Sequence, residues 1–193
     1  QIPAKTEAAK ALIDALAEED PTLIKETLWS ELADYLEDEK DEPDYGKVLH
    51  AISSAHVDFL VSVNHVHSKR IGGAYAEWVR TGSFAWDDCD GLGSRLQRLF
   101  DLDDLTLKSE CCLALLFMGT SHNRWYVERI LFRLIGPSLD ANLARRLAIE
   151  LGAEGEDACR ALRHLRHSIG VDLEKMHPTL FEAYKSICGD ENR

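Results

Sequence analysis

Long apolar runs are missing from this chain. The longest falls within residues 105–118, short of the roughly 18 residues that a membrane-spanning helix needs. No alternating run of β-branched and polar residues reaches useful length, which leaves strands out of the reading. Cys-x-x-Cys does not occur, so a zinc knuckle is not indicated. No Walker-type lysine accompanies a glycine-rich loop, and no nucleophile-elbow pattern is present. Positive charge is scarce, with 22 Lys and Arg against 34 Asp and Glu and a formal net charge of −12. Nucleic-acid binding over the whole surface is thereby disfavoured, because phosphate contact needs a cationic face. Cysteines number five, an odd count, and Cys111 and Cys112 stand side by side in the most apolar stretch. Thiols used as small hydrophobes fit a reducing compartment, so a cytoplasmic location is expected. The sequence starts at Gln1 rather than Met, which fits a trimmed or mature chain and leaves open a leader removed before it.

What is present is enough for a substantial core. A length of 193 residues, 45% of them hydrophobic and 29% charged, fits one folded domain over 1–193 without need of disulfides or a structural metal. The stretch Asp103–Gly136 predicts two helices joined by a short turn. Its first half is apolar nearly all round, from Leu105 and Leu107 through Cys111 to Met118, as a helix covered on every side by others would be. Charge is uneven along the chain. Residues 1–44 carry 14 acidic side chains against 4 lysines, a net of −10, while the remainder carries 20 acids against 18 bases. An acidic helical hairpin over 1–44, packed on a core formed by 45–193, is the expected layout.

Helical periodicity recurs along the chain. It predicts helices over 6–19 and from Pro21 to Glu39, the latter capped by Asp20 with proline at its first position. A long third helix is predicted from Asp44 to Gly72-Gly73, followed by a short one over 74–80. Residues 81–93 are rich in glycine, aspartate and aromatics and read as an ordered loop, a frequent location for function. Further helices are expected over 94–100, 139–151, 156–169 and 178–188, with Gly152, Gly170 and Gly189 as C-terminal caps. The fold class is therefore all-α, a multi-helix domain. Hairpins spaced about 30 residues apart allow either a compact bundle or a short HEAT-like stack.

Candidate chemistry is thin. His50, His56, His65 and His67 fall on the predicted third helix, but none of them share both face and level, so they do not form a local metal site. Glu174 and His177 make one Glu-x-x-His unit, whereas di-iron bundles need two such units and two further glutamates. Asp87, Asp88 and Asp90, close to Asp101, Asp103 and Asp104, have the residue type that holds Mg²⁺ for a metal-dependent hydrolase. As helix N-caps they have a simpler explanation. Ser121-His122-Asn123 reads as a turn. The helix over 156–169 gathers Arg160, Arg163, His164 and His167 on the side opposite Ala158, Ala161, Leu162 and Leu165. That basic stripe suits a carboxylate- or phosphate-bearing partner.

Arg160 and His167 are separated by six residues, which resembles the Arg-x4–6-His motif of the all-helical HEPN ribonucleases. The resemblance covers those two residues. It implies metal-independent RNA cleavage by the pair, usually across a dimer interface. The residue after Arg160 is Ala161, where that family usually carries a polar one. Weighed together, the residues favour a non-catalytic module without cofactors: an inhibitor, antitoxin, immunity protein or adaptor. It would meet a partner protein, a basic one, through Glu37, Asp38, Glu39, Asp41 and Glu42 and through the face of Arg160, Arg163, His164 and His167.

Overall fold

The computed structural model describes residues 2–18, 20–81, 89–122, 125–136 and 139–189, with side chains described for all of these except 2–4, 89–90, 120–122 and 125–126. Among the described residues the fold is all-α. The chain divides into two compact units, Gln1–Leu102 and Asp103–Arg193.

In the first unit, α1 (Ile2–Leu16) is followed by a 3₁₀ turn (Pro21–Leu23) and α2 (Glu26–Asp38). Asp20 accepts from the Thr22 N–H at 2.9 Å, so the predicted Asp-Pro cap closes that turn and α2 begins five residues later than expected. The acidic first quarter packs inside this unit, with α1 against α2 and against α3 (Tyr45–His50). Its core is formed by Trp29, Leu32, Leu36, Leu49, Leu60, Ile71 and Tyr75, all but excluded from solvent.

The long helix expected over 44–72 is three helices: α3, α4 (Ser54–Ser62) and α5 (Ser68–Arg80). Two local devices break it. Ser53 and His56 form a reciprocal capping box, in which the Ser53 hydroxyl accepts from the His56 N–H and His56 Nδ1 accepts from the Ser53 N–H at 2.9 Å. After α4 the chain turns through Asn64, whose φ of +46° suits a residue that tolerates the left-handed region. The stripe read across 48–66 therefore drifts out of phase. Val48 and Ile52 are buried, but Ala55, Val63 and Val66 are exposed, and His56, Val57 and Leu60 take the inner positions. Gly72-Gly73 lies inside α5 rather than ending a helix. Helix α6 (Cys89–Leu99) packs on α4 and α5.

The second unit is built on α7 (Leu105–His122), which packs against α8 (Trp125–Ile135), α9 (Ala141–Ala153) and α10 (Glu156–Arg163). Asp104 caps α7 by accepting from the Leu107 N–H at 2.8 Å. From Leu107 to Gly119 nearly every side chain is buried, as expected for a helix apolar all round. The predicted helix 156–169 changes character at His164, where α10 gives way to a π-helical turn, His164–Ser168. Short α11 (Leu173–Met176) and α12 (Pro178–Cys188) follow, α12 packing on α9 and α10. Contacts between helices distant in sequence mark each unit as a bundle, since stacked repeats touch only their neighbours. Cys159 and Cys188 form a disulfide between α10 and α12, whereas Cys111 and Cys112 are buried free thiols. The small-hydrophobe reading thus applies to the adjacent pair and not to Cys159 or Cys188. No helix among the described residues is long and apolar enough to cross a membrane.

His177 has a structural task. It is buried, and its Nε2–H donates to the carbonyls of Ile135 at 2.8 Å and Gly136 at 3.0 Å, satisfying groups left open at the end of α8. His177→Phe retains ring volume but strands both carbonyls, so denaturant unfolding is expected to show a loss of about 1–3 kcal/mol. Glu174 is exposed, and Glu174→Ala is expected to change stability by no more than about 0.5 kcal/mol. A comparable loss in both variants would contradict this assignment.

Candidate functional site

The acidic residues singled out in the sequence sort into two sets. Glu39 and Glu42 are half-buried and meet Lys5, whose ammonium lies 2.6 Å and 3.3 Å from their carboxylates. They hold α1 to the end of α2. Glu37, Asp38 and Asp41 face solvent. Along α2 the exposed positions are Glu26, Thr27, Glu31, Asp34, Glu37 and Asp38, with no Lys or Arg anywhere in the helix. The buried stripe of Trp29, Leu32, Ala33, Tyr35 and Leu36 forces this arrangement by turning every acid outward. His65 meets Glu26 at the start of the ridge, whose later turns are restrained by Arg70, reaching from α5. Arg70 donates to Asp34 at 2.8 Å and through Nε to Glu37 at 2.9 Å.

The basic stripe is smaller than its sequence implies. Arg160, Arg163 and His167 are exposed, and Arg160 is paired with Asp157 one turn earlier. His164 turns inward, its side chain only 10% exposed, with Nε2 facing Glu128 Oε1 at 3.5 Å. The wider π turn that begins there shifts the register on which an α-helical wheel depends. Gly119 makes the space, because a Cβ at that position would stand 3.2 Å from His164 Nε2. The same turn separates Arg160 from His167, so the pair resembling the ribonuclease motif does not sit on one uninterrupted α-helix. Asp87 and Asp88 lie outside the described residues, as does the side chain of Asp90. Of their neighbours, Asp101 pairs with Arg98 and Asp104 caps α7.

Two of the four histidines expected on one helix, His56 and His65, pack around Trp29 instead. His56 packs edge-on to its ring with centroids 6.0 Å apart, Phe59 stacks at 5.9 Å and His65 lies at 5.7 Å. His65 Nδ1 accepts from the His67 N–H at 3.2 Å, so Nε2 carries the proton and donates to Glu26 at 2.9 Å. His56 Nδ1 is likewise engaged by Ser53, leaving a buried Nε2–H without a partner among the described residues. Burial, then the nearby Arg95 guanidinium, lowers the His56 pKa. Burial also lowers that of His164, against an opposing pull from Glu128. Burial raises the pKa of both Cys111 and Cys112, which suits inert core thiols rather than nucleophiles. Among the described residues no group of three or more His, Cys, Asp or Glu is placed to share a metal ion.

Clefts open on the first unit, two of them lined wholly by described residues. One of about 260 Å³ runs between α4 and α6 and is polar, with Asp58 and Asp101 both engaging Arg98. The other, of about 410 Å³, lies beside Tyr45 and Trp78 and is closed on one side by the Lys40–Glu77 ion pair. Burial pushes the Tyr45 phenol up to about 12, with its hydroxyl donating to the Leu36 carbonyl at 3.0 Å. In the second unit a groove of about 430 Å³ is lined by Glu128, Arg129, Phe132, Arg133, Ser168 and Ile169. Nothing in the sequence pattern singled out Trp29, Phe132 or the Glu128–His164 contact, because each depends on how separate elements pack.

Comparison with protein-family models, curated proteins and solved structures finds no match to this chain.

The two lowered imidazoles fix a sign. In the unfolded chain each takes up a proton near pH 6.5, whereas the fold holds it neutral to lower pH. The unfolded state then binds more protons as pH falls, so this contribution is intact above about pH 6.5 and lost below it. Melting temperature is expected to fall between about pH 7.5 and pH 5.5. The slope should shrink in His56→Asn and His164→Asn, and an unchanged slope in both would refute the assignment.

Proposed function

We propose that the protein is a non-catalytic binding module that docks a basic partner protein on the acidic outer face of α2, in the manner of an inhibitor, antitoxin, immunity protein or adaptor. The observation carrying this reading is the make-up of that face: five of its six exposed residues are acidic and the helix has no cation. Like charges three or four positions apart weaken a helix by about 0.2–0.5 kcal/mol per pair. Glu31–Asp34, Asp34–Glu37 and Asp34–Asp38 are such pairs. Arg70 offsets only part of the repulsion. A cationic partner relieves it, so binding and ridge stability are coupled through the same charges. Asp41 extends the surface beyond the helix end. Arg160, Arg163 and His167 form a second, smaller contact face, from which the inward turn of His164 removes that residue.

Native mass spectrometry of the protein drawn gently from its own cells tests the reading, because it reports partner, stoichiometry and any retained metal together. The expected species is a complex with a second protein of basic composition. Reversing Glu31, Glu37 and Asp38 to lysine is then expected to slow association about tenfold and flatten its salt dependence, with a smaller effect on dissociation. An unchanged association rate and salt slope would rule out the ridge as the docking surface.

A further inference from the structure

We propose that the groove between α8 and the π turn binds an acidic peptide segment of a partner protein through an apolar anchor. This surface is distinct from the α2 ridge, opposite in charge, and stands or falls separately.

Helix α8 buries Val127, Ile130, Leu131 and Ile135 and turns Arg129, Phe132 and Arg133 outward. Phe132 is 45% exposed, and it is the sole aromatic among the large exposed hydrophobics of the described residues. It stands in the wall of the 430 Å³ groove, with Ser168 and Ile169 of the π-turn segment on the other side. Arg129 and Arg133 are one helical turn apart on one face and line the same groove as Phe132. An exposed aromatic bracketed by arginines has the composition of an interface hot spot. Planar guanidinium forks match carboxylates in bidentate geometry. Both arginines also have partners within the chain, which limits the gain from each to that of a surface pair.

Charge decides the class of occupant. Two cations suit an acidic peptide, but a phosphate backbone needs a longer cationic track. Glu128 lines the same groove and holds a negative charge beside His164. That carboxylate repels any anion, so its removal should strengthen binding. A purely structural role for Glu128 does not predict this.

The test is fluorescence anisotropy with the full chain at low salt. The probe is a labelled helical peptide of about fourteen residues with leucines on one face and glutamates elsewhere. The acidic peptide is expected to bind, its glutamine version more weakly and its lysine version not at all. Phe132→Ala should weaken binding about tenfold, Arg129→Gln or Arg133→Gln about threefold each, and Arg133→Lys less than Arg133→Gln. Glu128→Gln should tighten it about threefold. Glu31→Lys on α2 should leave it unchanged. Each variant is read only after its melting curve shows a folded protein, with Phe132→Leu as the milder substitute for Phe132→Ala. Absence of binding, equal binding of the lysine peptide, or indifference to Phe132 overturns the proposal. So does preferential binding of a labelled oligouridylate that depends on Arg129 and Arg133, which would make the groove an RNA site.

Discussion

Backbone groups left open at helix ends must find partners once they are buried, and the helices of this chain are short enough to create many such ends. Imidazoles meet that demand repeatedly. His56 closes the capping box that starts α4, and His65 accepts the His67 N–H in the turn leading to α5. His177 takes the last carbonyls of α8. These rings are buried or nearly so, because a polar ring with both polar and apolar work suits a helix junction better than an aliphatic side chain. The positions of α4, α5, α8 and α12 all depend on this use of histidine.

That use explains why histidine was the least legible residue in the sequence. Four histidines within eighteen positions of an apparently continuous helix invite a geometric test for metal ligation, and the test assumes the helix. Serine at position 53 and asparagine at position 64 are ordinary inside a helical pattern, and only the fold shows that each marks a break. Gly72-Gly73 misled in the other direction, since paired glycines suggest a stop yet sit within α5. By contrast, α7, α8 and α12 could be read from sequence because apolar periodicity, capping aspartates and Pro178 agree there. Asp104 caps as its position implied, whereas Asp140, expected inside a helix over 139–151, instead caps α9 by accepting from the Asn142 and Leu143 N–H groups.

The candidate surfaces were legible by charge and obscure by shape. Counting acids located the α2 ridge but could not divide Glu39 and Glu42, which tie α2 to α1 through Lys5, from Glu37, Asp38 and Asp41. A helical wheel put His164 beside Arg160 and Arg163 because it assumes 3.6 residues per turn. The π turn violates that assumption only for the residues after His164, whose own imidazole lies on the flank of α10 toward Glu128. Phe132 is inconspicuous in an apolar helix sequence, and its exposure follows from where α8 lies against its neighbours.

The Cys159–Cys188 link adds a consequence of a mechanical kind. It encloses α11 and most of α12 in a covalent loop with a sequence separation of 29. Chain drawn from the carboxyl end under tension can extend only as far as Cys188 before the load passes across the sulfurs to α10. The stretch between the two cysteines contributes no length until the bond is reduced, when about 100 Å of extended chain is released. In its oxidised form the second unit thus presents a pulling machine, such as an unfoldase entering from that end, with a knot of fixed length rather than a free thread.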